Sequence, residues 1–313
     1  MEQIPSGITR ARHFVFQSTL IVAVAAAISL TGAIGASTAS AESEPAEMAI
    51  QSPMAVRSLM LDIAAAGDRL VAVGERGHIL TSSDGGSSWE QMEVPTQAML
   101  TAVAFLDDRT GVAVGHDSVI IRTTDGGETW EIVHSAPEDE APFFDVWFAD
   151  ESKGVAIGAY GSQFVTSDGG VTWNFESLGD TDWHLHQIAR ADDGALYVAA
   201  EAGFIYRSAD DGVTWTELPS PYEGSYFGVL PLADGGVLIF GLRGHLFRSD
   251  DAGQTWVELD TGTVTMLNRG IVLADGTVVI VGLGGTVLVS TDGGHSFERH
   301  QQPGRRGISS IIE

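Results

Sequence analysis

The sequence has no cysteine. Disulfide frameworks, zinc–thiolate sites, iron–sulfur clusters and cysteine nucleophiles are therefore excluded. Basic residues are scarce: 16 Lys and Arg stand against 42 Asp and Glu, a formal net charge of −26. Lysine is nearly missing, with Lys153 alone. Such a chain opposes nucleic acid, whose phosphates need a basic footprint. No nucleophile elbow, phosphate-binding glycine loop or His-Glu-x-x-His pair occurs. No cofactor is called for. Glycine, by contrast, is abundant at 38 of 313 residues, which predicts many tight turns.

Long apolar runs are also absent, except near the start. Arg10, Arg12 and His13 precede an apolar, small-residue stretch over residues 20–36, and Ala39-Ser40-Ala41 follows it. A basic start, an apolar middle and an Ala-x-Ala exit predict a secretory signal peptide over residues 1–41. The competing reading is an uncleaved membrane anchor through residues 14–36. Both readings export the rest of the chain.

Six segments share one turn pattern, [ST]-x-D-x-G-x-[ST]-[WF]: residues 82–89, 123–130, 166–173, 208–215, 249–256 and 290–297. Their aspartates are Asp84, Asp125, Asp168, Asp210, Asp251 and Asp292, spaced 41 to 43 residues apart. Each turn ends on an aromatic: Trp89, Trp130, Trp173, Trp215, Trp256 or Phe297. Ten and seven residues ahead of each aspartate stands a small pair: Gly74/Gly77, Gly115/Ser118, Gly158/Gly161, Ala200/Gly203, Gly241/Gly244 and Gly282/Gly285. Short Val- and Ile-rich runs lie between these marks, the first of each unit anchored at Met60, Leu100, Phe143, Leu185, Tyr226 or Leu267.

Each unit thus reads as four short strands, with no 3.6-residue period anywhere. A tandem four-stranded meander predicts an all-β chain, a β-propeller whose blades bury one another's faces. Six complete blades are expected over residues 58–313, with a partial seventh closed by N- and C-terminal strands. The inner register recurs at Ile308, 41 residues after Leu267. Residues 48–54, in an N-terminal segment spanning 42–57, stand where an outermost closing strand would lie. A truncated seventh repeat and a distorted six-bladed ring are the alternatives. The chain is read as a monomer.

The turn pattern resembles the Asp-box, also called the bacterial neuraminidase repeat. With the small pair ahead of it and six tandem copies behind a leader, residues 55–312 resemble the photosystem II stability/assembly factor-like propeller family. That resemblance implies a non-catalytic protein that assembles or stabilises a membrane complex through a protein partner on its extracytoplasmic side. The location would be the periplasm, or the thylakoid lumen in a photosynthetic source. Relatives are thought to engage their partner through propeller arginines. Here only Arg76 and Arg243 stand in a Gly-x-Arg-Gly tip. One alternative is a general periplasmic interaction module in a non-photosynthetic bacterium, such as the partner of an envelope transporter. Another is a sialidase-like glycosyl hydrolase. Against the latter, the Arg-Ile-Pro signature is missing, and Arg57, Arg69 and Arg76 fit no carboxylate-binding motif. The six aspartates have a structural task instead: to accept backbone N–H groups across a turn whose glycine takes positive φ. The aromatic then packs between blades.

Strand alternation puts the aspartate turns at one end of the ring. The small-pair tips and the inter-blade links lie at the other. The tip residues vary within a repeated frame, as binding loops do. Candidate partner-binding residues are Arg76, His116, Asp117, Tyr160, Glu201 and Arg243 on tips, with Trp183 and Tyr222 on links. His184 and His186 alternate like a metal pair, but no third ligand has a defined spacing, so core or surface histidines are the preferred reading. Two residues beyond the inner anchors stand Asp62, Ala102, Asp145, Gln187, Gly228, Arg269 and Ser310, polar enough to ring a channel as a hydrogen-bond network.

Overall fold

Alternation of side chains on a strand lets one strand serve two neighbours, and the second strand of each repeat uses this fully. In the computed structural model of the chain, residues 47–179 and 182–313 are described, together with the backbone of Gln17–Ser18. The leader reading lies outside the described residues apart from that pair, and so do Asp180 and Thr181 of one link.

In the first blade, strands Met60–Ala66, Arg69–Gly74, Ile79–Ser82 and Glu90–Gln91 pair in chain order as an antiparallel sheet. Five further four-stranded sheets repeat this order, with inner strands Leu100–Phe105, Phe143–Phe148, Leu185–Arg190, Tyr226–Pro231 and Leu267–Val272. Among the described residues, the only helical pieces are single 3-10 turns. Six four-stranded blades in a ring make a β-propeller.

The core is radial. On the second strand of blade one, Val71 and Val73 join Val103, Ala113 and Ile121 of blade two, while Leu70 and Ala72 turn to the other side. The pattern continues round the ring and yields, among the described residues, seven apolar clusters, not six. The sixth cluster in ring order packs Val279 and Val281 of blade six against Ile308 and Ile311. The seventh packs Ile312 against Met60 and Ile63 of blade one. Residues 307–312 therefore fill a seventh position between the last blade and the first.

Hydrogen bonds confirm the register. Thr101 Oγ1 donates to the Phe143 carbonyl, the inner anchor of the next blade, at 2.8 Å. Asn268 Nδ2 donates to the Ile308 carbonyl at 2.7 Å in the same way. Ile308 is thus the anchor of a seventh inner strand. The Ser310 hydroxyl donates to Asp62 Oδ1 at 2.7 Å and ties that strand to blade one. In the full-length chain Gly307–Ile308 also pairs antiparallel with Gln17–Ser18, a pairing that removal of residues 1–41 would take away.

The expected role of residues 48–54 needs correction. They do not close the seventh position. They run beside the outer side of blade one, where Ala49 N–H donates to the Val94 carbonyl at 2.8 Å and Gln91 Nε2 donates to the Ile50 carbonyl at 3.0 Å. Ala49 is buried with Val94 there, and this burial decides its place.

Candidate binding face at the channel mouth

The two ends of the ring differ in chemistry. At one end, each aspartate closes its own turn. Asp84 Oδ1 accepts the Ser82 hydroxyl and the Ser88 N–H, both at 2.9 Å, and Oδ2 accepts the Ser88 hydroxyl at 2.6 Å. Asp125, Asp168, Asp210, Asp251 and Asp292 repeat the arrangement. Donors aimed at a carboxylate favour its charged form. The side chain and backbone of Ser88, Thr172 and Thr255 hold Asp84, Asp168 and Asp251 down at about 2. The indoles of Trp89, Trp130 and Trp173 donate to a glycine carbonyl of the same turn at 3.1–3.2 Å. Those of Trp215 and Trp256 reach back to Gln163 and Pro219 of the preceding blade. Phe297, with no donor, packs partly buried between blades five and six. The aspartate oxygens are spent on holding turns.

The tips stand at the other end. The first residue of every tip donates its N–H to the link entering the same blade, as Glu75 does to the Leu59 carbonyl at 2.9 Å. That approach leaves no room for a Cβ at Gly74, which would collide with the same carbonyl. Gly77 sits at φ +68, and a Cβ there would strike the Thr96 carbonyl of the next link. Blade two solves the second contact differently: Ser118, at φ 47, donates its hydroxyl to the Ala141 carbonyl at 2.7 Å.

Each inner strand also carries a bulge just past its anchor. The bulged residues are Leu61, Thr101, Phe144, His186, Phe227 and Asn268, half-buried at the tip end of the channel. A bulge re-aims its side chain. Apolar and polar residues alternate round this rim. The polar ones bond to the next blade: Thr101 and Asn268 as above, and His186 through Nδ1, 2.7 Å from the Tyr226 carbonyl.

Over blades three to five the rim becomes aromatic. The His186 ring lies 4.7 Å from Phe227 and 5.8 Å from Phe144. His184 lies 5.6 Å from Phe144 and 5.3 Å from the tip residue Tyr160. Its N–H donates to Glu201 Oε2 at 3.4 Å, with Nδ1 3.9 Å from the same oxygen. Burial is the main cause that pushes the His186 pKa down to about 4, so this imidazole is neutral at pH 7. The two imidazoles stand edge to face at 6.5 Å. Among the described residues no three His, Asp or Glu side chains are grouped to hold a metal ion.

Of the candidate residues, Tyr160 and Glu201 are brought together, with His184 between them. Arg76, His116 and Asp117 belong to the tips of blades one and two. Arg243 borders a groove on blade five with His245 and Glu258. Trp183 is exposed but stacked on Phe204 at 5.1 Å. Tyr222 is half-buried, its ring 4.2 Å from His245 on blade five. Phe144 and Phe227 were missed by sequence reasoning. Their signal was the position one beyond the inner anchor.

Below the rim, the Asp62 and Asp145 carboxylates accept N–H bonds from Val103 and Ile188 of the following blades at 3.1 and 3.0 Å. Gln187 does the same for Val229 at 2.9 Å. Arg269 Nη2 reaches across the channel to Asp145 at 3.5 Å and Asp62 at 3.8 Å. Burial raises the Asp145 pKa, and Arg269 opposes that rise. Ala102 and Gly228 interrupt the polar series.

Six four-stranded blades, one aspartate turn in each, and a channel rimmed by bulged residues define a tandem-repeat β-propeller. The family model for the photosynthesis system II assembly factor YCF48 matches residues 85–143 and 134–272, and the chain belongs to that family. Among solved structures it is similar to a YCF48 bound to a D1 peptide, with 19% identity, a TM-score of 0.66 and coverage of 82% of this chain and 84% of that one. YCF48 from Cyanidioschyzon merolae gives 19% identity, a TM-score of 0.65 and coverage of 80% and 87%. Virginiamycin B lyase from Staphylococcus aureus shares the fold at 12% identity, a TM-score of 0.68 and coverage of 78% and 84%. No curated protein sequence matches significantly.

Proposed function

We propose that this chain is an exported, non-catalytic protein-binding propeller whose tip face holds a segment of a membrane complex during assembly or stabilisation. The observation that carries this reading is the backbone at the tips. Arg76, Asp117, Tyr160, Ala202 and Arg243 occupy the left-handed region at φ 55–58, where the sixth tip has Gly284 at φ 65. A side chain there costs about 1–2 kcal/mol. Five tips thus present side chains against the backbone's preference, as binding loops do. Family membership and the D1 peptide on a relative support a polypeptide partner. The leader signature supports an extracytoplasmic location, in the periplasm or, in a photosynthetic source, the thylakoid lumen.

Four tips without arginine favour a second reading, a general interaction module of the cell envelope in a non-photosynthetic bacterium. Both readings meet one test: affinity capture from native membranes with the full chain, beside a variant carrying Arg76→Gly, Tyr160→Gly and Arg243→Gly. Glycine keeps the tip conformation while removing the side chains. A membrane protein enriched by the parent and lost with the triple variant is expected, and its identity separates the two readings. Equal capture by both chains would overturn the tip face as the binding surface.

A further inference from the structure

We propose that the channel mouth over blades three to five is a subsite for a cationic side chain, Lys or Arg, of the partner polypeptide. The proposal rests on the binding reading above and specifies its chemistry. Phe144, Tyr160 and Phe227 gather round the two imidazoles at centroid distances of 4.7–5.8 Å, tilted or edge-on to them, and form an aromatic cluster at the mouth. Ring faces attract cations, and more strongly where water is partly excluded. Tyr160 is 57% exposed and reaches the mouth from a left-handed tip residue at φ 56.

Two acceptors stand among these rings, the free nitrogen of His186 and the Glu201 carboxylate, beside the His184 imidazole and the Tyr160 hydroxyl, which each both donate and accept. A carbonyl only accepts, so the His186 Nδ1 next to the Tyr226 carbonyl carries the proton. The neutral ring then leaves Nε2 as an acceptor. Glu201 adds a carboxylate, which accepts the His184 backbone N–H. Among the described residues, no Lys or Arg is in contact with these rings. The channel's own guanidinium, Arg269, is held between Asp62 and Asp145. An anion is repelled by the Glu201 carboxylate, and a neutral apolar group gains nothing from it. A cation matches the rings, the acceptors and the net charge of −26, which draws cations toward the surface.

The test uses the full chain and the peptide acetyl-Gly-Gly-Arg-Gly-Gly-amide, with its citrulline twin as the neutral isostere. Imidazole NMR signals of His184 and His186 are followed during titration. The arginine peptide is expected to shift both signals saturably and the citrulline peptide to leave them in place. Glu201→Gln and Phe227→Leu are each expected to weaken the response about fivefold. Equal shifts with both peptides, or unchanged affinity in both variants, would overturn the subsite. If the arginine peptide fails while the parent still captures a partner that the triple tip variant loses, the cationic subsite alone is removed. If the peptide response stands while capture is unaffected by the tip changes, the tip-face reading fails and the subsite survives.

Discussion

His186 sits between Phe144 and Phe227 with its Nδ1 on the Tyr226 carbonyl, and burial keeps it neutral. Its folded pKa of about 4 lies below the ordinary 6.5. Its stabilising contribution is therefore complete above pH 6.5 and is lost as pH falls from 6.5 toward 4. His186→Phe should flatten the dependence of urea-unfolding stability on pH in that window. It should not abolish it, because burial also lowers the pKa of His78, His116 and His134. An unchanged slope would clear His186 of that role. The second residue-scale prediction concerns Arg269. Arg269→Met leaves Asp62 and Asp145 without their shared cation, and a loss of about 3 kcal/mol at pH 7 is expected in urea unfolding. Part of the loss should return on acidification, because protonation of Asp145 removes one charge. A variant as stable as the parent at pH 7 would contradict the channel network. These residues were legible as polar positions in an apolar register. Their pairing was not, since Asp62, Asp145 and Arg269 come from three blades.

A tip places two adjacent residues under opposite constraints. Gly77 combines φ +68 with a Cβ direction blocked by the Thr96 carbonyl. Gly77→Ala should therefore cost about 3 kcal/mol, measured by chemical denaturation. Arg76, one residue earlier, has φ 58 and an exposed side chain. Arg76→Gly should be neutral or stabilising by up to about 1 kcal/mol, because relief of left-handed strain opposes the added freedom of the unfolded chain. Equal losses at both positions would refute this account of the small pair. Blade four carries Ala200 at the first position, where the backbone lies in the ordinary extended region at φ −134 and ψ 174, against φ −174 and ψ −149 at Gly74, so the methyl points elsewhere. The pair was readable in the sequence as a recurrence, but the link carbonyl that demands it appears only once the links are placed. The bulge gives the same lesson. Phe144, His186 and Phe227 stand one past Phe143, Leu185 and Tyr226, yet only the register shift shows that the three share a rim.

At the scale of the molecule, ring closure rests on a short tail. Residues 307–312 supply Ile308 and Ile311 to blade six, Ile312 to blade one, and Ser310 to Asp62. A chain ending at Arg306 should uncover Val279 and Val281 on one side and Met60 and Ile63 on the other. A lower melting temperature with a broadened transition is expected, along with new binding of a hydrophobic dye. A sharp transition at the parent's temperature would show that the six blades close without the seventh strand. The charge of −26 belongs to this scale too. The six turn aspartates are occupied with their own turns, and Asp62 and Asp145 are buried in the channel with Arg269, so most of the surplus belongs to the exposed surface and its field.

The sequence by itself determined the repeat, the four-strand unit and the seventh anchor at Ile308, because turn chemistry and side-chain alternation are local and recur at a fixed interval. It also exposed the variable tips, since they interrupt an otherwise constant frame. Tertiary structure alone decided that residues 48–54 run beside blade one rather than closing the ring, where the apolar contact of Ala49 with Val94 holds them. It alone placed Phe144, His186 and Phe227 on one rim and Arg269 between Asp62 and Asp145. Those neighbours are about 40 or more residues apart in the chain, and only closure of the blades around a common axis brings them together.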